Sequence, residues 1–97
     1  MASGIGIATL NFGADPGSNE AFVVVTGQTS IQASSKVEAW VMGDDTTATH
    51  SASDHKYFPA FSSITCGTPT GGTGFTIYAR SIYKLTNSFQ VRWVWAD

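Results

Sequence analysis

Large apolar residues occupy every second position near the C-terminal end of the sequence. A period of two predicts a β-strand that presents these residues on one face and the mostly polar residues between them on the other. Because aromatic side chains bury large areas and an isolated hairpin cannot cover them, we expect further strands to pack on this face. The residues of this face are Phe89, Val91, Trp93 and Trp95.

Other stretches of the sequence also have the pattern of strands. Residues 5–12 are apolar on both faces, which predicts a strand covered on two sides. A β-branched run and several alternating runs follow, and Pro59 restricts one of them to an edge or a bulge. These further strands are predicted over residues 21–26 with a continuation over 29–33, 36–42, 57–66 and 74–82.

Turn-forming residues separate the predicted strands. Gly, Pro, Asn and Asp cluster at 15–18, 43–45, 70–72 and 86–88, and no window predicts a long amphipathic helix. Short strands spaced in this way predict an all-β fold, an antiparallel β-sandwich or small barrel of six to eight short strands. We expect residues 1–97 to form this fold as a single domain.

The sequence has few charges for its length. Only 12% of its 97 residues are charged and 42% are hydrophobic, a combination that excludes intrinsic disorder. The formal net charge is −2 and the five basic residues do not cluster, so we expect no binding to nucleic acid. The sequence is rich in Thr, Ser, Gly and Asn, and a surface of these residues has few charges to desolvate. Packing it against a copy of itself therefore has a small desolvation cost, which favours a subunit of an assembly.

Neither secretion nor membrane insertion is indicated. The single Cys66 excludes an internal disulfide, and its apolar neighbours predict a small buried side chain. The first residues lack the cationic and apolar regions of a signal peptide, and no window approaches the ~20 apolar residues of a membrane span. We therefore expect a protein that folds in the cytoplasm and has no membrane partner.

The segment 46–55 is the stretch most typical of a functional site. It contains His50 and His55, but a spacing of five places them on a common face of neither a helix nor a strand. The nearby carboxylates lack the spacing of a calcium loop, and the glycine-rich residues 71–74 lead into a strand and not into a helix. We predict no metal ion, no cofactor and no catalytic residue, and thus no enzyme.

The aromatic residues divide between core and surface. Trp93 and Trp95 alternate with polar residues, which predicts burial. Trp40 instead shares a strand face with Lys36 and Glu38, two residue types that are rarely fully buried. For Trp40 we therefore predict a subunit contact, with burial in the core and a platform for sugar rings as the alternatives.

Seven segments of the sequence form a characteristic series. They are GIGIATLNFG at 4–13, PGS at 16–18, VTGQ at 25–28, VEAWVM at 37–42, ATHSASDH at 48–55, GTGFTIY at 72–78 and VRWVW at 91–95. In this order they resemble a group of short proteins that tailed bacteriophages and prophages encode, typically among their virion structural genes. The resemblance spans nearly the whole chain and implies a virion component, and it implies no catalytic or ligand-binding residue.

Together these observations predict a non-enzymatic structural protein of a tailed-phage virion, assembled in the bacterial cytoplasm. We expect a capsid decoration (cement) protein or a tail-associated subunit, which forms a homo-oligomer, with a trimer favoured, and contacts the major capsid protein or tail proteins. The alternative is a carbohydrate-binding adhesion module of a tail fibre that binds a surface glycan. The predicted interface residues are Trp40, Met42, Thr49, His50, His55 and Tyr83.

Overall fold

The computed structural model describes residues 2–14, 16–41 and 58–97, and these residues are mostly β-strand. In the described part, the one helical element is a 3-10 turn at Phe58–Ala60. The strands are β1 at Ser3–Asn11, β2 at Ser18–Val25, β3 at Lys36–Val41, β4 at Ser62–Cys66, β5 at Phe75–Leu85 and β6 at Ser88–Ala96.

The strands form two antiparallel sheets that face each other. Sheet A has the order β1–β6–β3, and sheet B has the order β2–β5–β4. The central strands β5 and β6 follow one another in the chain, which crosses between the sheets at Thr86 and Asn87. Asn87 takes a positive φ of 63°, as suits a tight turn. The prediction of an all-β fold, an antiparallel β-sandwich or small barrel of six to eight strands, is confirmed, and the described residues form a sandwich of six strands.

The strand β6 supplies the centre of the core, as its alternation predicts. Phe75 of the opposite sheet packs edge-on against Trp93, with the ring centroids 5.4 Å apart. Phe58 of the 3-10 turn packs against Phe89 at 4.9 Å and closes one end of the core. The buried residues of β6 are Phe89, Val91, Trp93 and Trp95.

Two glycines of β1 make room for the tryptophan rings of β6. Gly4 lies opposite Trp95 and Gly6 lies opposite Trp93 in the strand register. A Cβ atom added to either glycine would overlap the indole ring of its partner. The rings therefore cover the backbone of β1, and the Nε1–H of Trp95 donates a hydrogen bond of 3.0 Å to Oε1 of Gln28.

The prediction that residues 5–12 are covered on two sides is wrong. Ile5 is 65% exposed and Ile7 is 49% exposed, and both lie on the outer face of sheet A. Only glycine fits beneath the tryptophan rings, so the strand presents its glycines to the core and its isoleucines to solvent. Sheet A is covered on its inner face by sheet B, and its outer face is open in the described part of the chain.

Two other predicted stretches also differ from the structure. Residues 29–33 form turns and no strand, in which the buried Ile31 accepts a hydrogen bond of 2.8 Å from the N–H of Gly72. In the predicted strand 57–66, whose described part begins at Phe58, only residues from Ser62 onward form a strand, because Pro59 lies in the 3-10 turn and has no N–H to donate to a sheet.

Candidate interaction surfaces

The outer face of sheet A carries an exposed apolar surface. Ile7, Arg92 and Trp40 form one row across the three strands, because Arg92 pairs with Ile7 on one side and with Trp40 on the other. Trp40 is 44% exposed. In the next row Ile5 pairs with Val94, so apolar side chains continue along β1 and β6.

The outer face of sheet B carries a second exposed surface. Phe22 of β2 pairs with Tyr78 of β5, and both side chains are exposed. Val24 lies two residues further along β2 on the same face. Beyond Tyr78, the guanidinium Nε of Arg80 lies 3.3 Å from Oε1 of Glu20, in an exposed ion pair that contributes little to stability.

The far end of β5 protrudes from sheet B. Ser18 pairs with Leu85 and Glu20 pairs with Arg80, so the single residue between them on β2 faces residues 81–84 of β5. Such a bulge bends the strand and re-aims its side chains. It exposes two large residues, Ile82 and Tyr83, and Tyr83 packs edge-on against Phe61 at 5.9 Å.

The predicted interface residues fall into two groups. Trp40 is exposed on sheet A and Tyr83 is exposed on the bulge of sheet B, so the two lie in different sheets. The burial in the core that we weighed for Trp40 does not occur, whereas the predicted burial of Trp93 and Trp95 is confirmed. The remaining predicted residues, Met42, Thr49, His50 and His55, lie outside the described residues.

Sequence reasoning missed most of the exposed apolar residues. The signal that identifies Ile5 and Ile7 is the Gly-Ile-Gly-Ile alternation of β1 beside the tryptophans of β6, since large rings need small neighbours. No comparable signal marks the β-branched run of β2 or the bulge of β5. The missed residues are Ile5, Ile7, Phe22, Val24 and Ile82.

The potential metal-ligating side chains of the described residues do not cluster. No group of three or more His, Cys, Asp and Glu side chains converges within residues 2–14, 16–41 and 58–97. Among the acidic residues, Glu20 forms an exposed ion pair with Arg80. In the same part of the chain no helix exceeds the three-residue turn at Phe58–Ala60, and so none has the length to cross a bilayer.

Cys66 is half-buried at the end of β4, so the burial that its apolar neighbours predict is only partial. Burial of the thiol raises its pKa above the ordinary value of 9.0, and the negative charge of Glu38 adds to this shift. The folded protein therefore keeps the thiol proton at a pH where the unfolded chain has lost it. Cys66 is thus a poor nucleophile near neutral pH.

This shift predicts how stability depends on pH. A pKa raised by folding contributes stability that is complete below the unfolded pKa and is lost as pH rises through the folded pKa. We expect the free energy of unfolding of the native protein to fall more steeply than that of Cys66→Ala as pH rises above about 8, where the thiol of the unfolded chain begins to lose its proton. Urea unfolding of both proteins measures this difference, and parallel pH profiles would contradict it.

Comparisons of the chain with protein-family models, with curated proteins and with solved structures find no match.

Proposed function

We propose that this protein is a structural subunit of a tailed-bacteriophage virion, either a capsid decoration protein or a tail-associated subunit, that docks through protein–protein contacts and catalyses no reaction. The observation that carries this proposal is the exposure of large apolar side chains on the outer faces of both sheets. Several large apolar side chains on one exposed face are uncommon in monomeric soluble proteins, whereas subunits of assemblies bury such side chains on their partners. The residues concerned are Ile5, Ile7 and Trp40 on sheet A and Phe22, Val24 and Tyr78 on sheet B.

The composition of these surfaces supports the proposal. Trp, Tyr and Arg contribute most of the binding energy in typical interfaces, and Trp40 lies beside Arg92 in the strand register. The low fraction of charged residues, 12%, reduces the number of polar groups that must lose water when a subunit docks. The sequence resemblance to virion-associated phage proteins also supports the proposal. It is the reason for proposing that the assembly is a phage particle.

The experiment uses particles that lack this protein, prepared from a phage in which its gene is deleted. Purified protein is added, and the bound fraction is measured by co-sedimentation with the particles. We expect saturable binding, and we expect Trp40→Ala to weaken it by about tenfold or more, because a large desolvated anchor is lost. Ser63→Ala, at an exposed position of β4 in the other sheet from Trp40, is the control, because it removes only a hydroxyl group and no large apolar side chain.

Two outcomes have different consequences. If the native protein neither sediments with the particles nor is detected in mature virions by mass spectrometry, the proposed function is wrong. If the native protein binds and Trp40→Ala binds equally well, the docking role of Trp40 is wrong and the function stands.

One observation favours a second candidate, a glycan-binding adhesion module. A shallow depression on the outer face of sheet B brings the exposed ring of Tyr78 together with the polar side chains of Thr65, Glu20 and Arg80. Aromatic rings next to hydrogen-bonding groups are suited to the faces and hydroxyls of sugars. Saturable binding to host polysaccharide that Tyr78→Ala abolishes, with no binding to the phage head, would favour this function, and an unresponsive glycan array would exclude it.

A further inference from the structure

The strand β1 has one side without a strand partner in the described part of the chain. It lies at the edge of sheet A and pairs with β6. The N–H of Phe12 donates to the carbonyl of Asn87 at 2.9 Å, and the N–H of Asp97 donates to the carbonyl of Ala2 at 3.2 Å. The even-numbered residues of β1 therefore direct their backbone groups to β6, and the odd-numbered residues direct theirs away from it.

The chemistry of this edge differs from that of the other edges. Natural edge strands avoid self-association through charges, prolines, bulges or short length. Among the described strands, β2 has Glu20 and a bulge, β3 has Lys36 and Glu38, and β4 has only five residues. In contrast, β1 has nine residues with no charge and no proline, and Ile5 and Ile7 are exposed beside its open side.

We propose that β1 pairs antiparallel with β1 of a second copy of this chain about a two-fold axis. Two identical strands related by such an axis are necessarily antiparallel, and each contact is made twice. With Ile7 on the axis, Ile7 lies opposite its own symmetry mate and Ile5 lies opposite Thr9 of the second copy. The outward N–H and C=O groups of both strands then pair with each other, and the two sheets A become one continuous six-stranded sheet.

A second copy fits this edge because β1 has no charged residue, so the pairing places no like charges opposite each other along the two strands. The nearest charged residue in the row of Ile7 is Arg92, one strand inward. Its distance from the Arg92 of the other copy is three strand spacings, about 14 Å, which exceeds the Debye length of ~8 Å at physiological salt. At the same time, the isoleucines of both copies form one apolar stripe across the junction, and cross-strand pairs of this kind stabilise a sheet.

The dimer is a property of the isolated chain and does not depend on the proposed function. Only its biological setting, the phage particle, rests on that proposal. A two-fold dimer also departs from the trimer that the sequence analysis favours. The chain mass of 10.3 kDa makes the two assemblies easy to distinguish by light scattering. The mass of the native chain is measured without particles, so a monomeric native protein would overturn the dimer and leave the proposed function standing, whereas absence from the particle would leave the dimer intact.

The first test is the mass of the full chain from micromolar to millimolar concentration. We expect twice the chain mass, and we expect Ile7→Lys to weaken dimerisation by about a hundredfold, because it places two like charges opposite each other at the axis. The half-exposed position of Ile7 lets a lysine stem lie on the surface, so circular dichroism should show the native fold. Ser63→Lys adds the same charge on sheet B and should leave the dimer unchanged.

The second test distinguishes pairing of edges from stacking of faces. In the dimer, hydrogen exchange measured by NMR should be slow at the amides of Ile5, Ile7 and Thr9, and Ile7→Lys should make those of Ile5 and Thr9 fast. The amides of Gly6 and Ala8, which face β6, should stay protected in both proteins. A monomeric or trimeric native protein, or a dimer with fast exchange at the odd-numbered amides, would overturn the proposal.

Discussion

Trp93→Ala is expected to lower the free energy of unfolding by about 3–5 kcal/mol. Trp93 is only 6% exposed and lies at the centre of the inner face of β6, with Phe75 edge-on against its ring. Its removal leaves a cavity beside Gly6, a residue with no side chain to move into the space. Because small domains are stable by only about 5–15 kcal/mol, a large part of this stability would be lost.

The measurement is urea unfolding followed by far-ultraviolet circular dichroism at one fixed protein concentration. Trp40→Ala is the matched control, since it makes the same substitution in the same sheet at an exposed position. We expect it to cost about 1 kcal/mol or less. Equal losses in the two variants would show that the assignment of inner and outer faces of sheet A is wrong.

Gly6→Ala is expected to destabilise the protein by about 1–3 kcal/mol, although the same exchange usually stabilises a strand. The added methyl group would overlap the ring of Trp93, which packing on its other side holds in place. Thermal and urea unfolding both measure the loss. Gly71→Ala is the control, because the nearest atoms to its added Cβ would lie at 3.9 Å, an ordinary contact distance.

A double-mutant cycle tests the physical cause. Trp93→Phe replaces the indole with a smaller ring, so Gly6→Ala should cost less in that background than in the native protein. The expected coupling between the two changes is about 0.5–3 kcal/mol, typical of residues in direct contact. Additive losses would mean that the methyl group is strained for a reason other than the tryptophan.

The inner face of the fold could be predicted from the sequence because it follows a strict period of two. Phe89, Val91, Trp93 and Trp95 are all buried on one face of β6, as their spacing requires. The run over 74–82 likewise gave a correct strand, since its alternation is equally clear. Burial of a whole face is a strong local signal, because every second residue must be apolar.

The outer face could not be predicted in the same way. Residues 5–12 have no charged residue on either face of the strand, so hydrophobicity alone does not show which face is buried in the core. Which face of β1 is buried depends on Trp93 and Trp95. These residues are distant in the sequence and lie beside β1 only after β6 has paired with it. The exposure of Ile82 and Tyr83 depends in turn on a register shift between β2 and β5 that no local pattern encodes.

The strand order of the two sheets has a consequence for how the protein forms on the ribosome. Both edge strands of sheet B pair with β5, and both edge strands of sheet A pair with β6, the last of the described strands to be synthesised. No hydrogen bond between the described strands of sheet A can form until residues 88–96 have emerged, so β1 has no strand partner in this sheet while residues 12–87 are synthesised. Closure over such long sequence separations is intrinsically slow, and during that delay the uncharged β1 is exposed to other nascent chains.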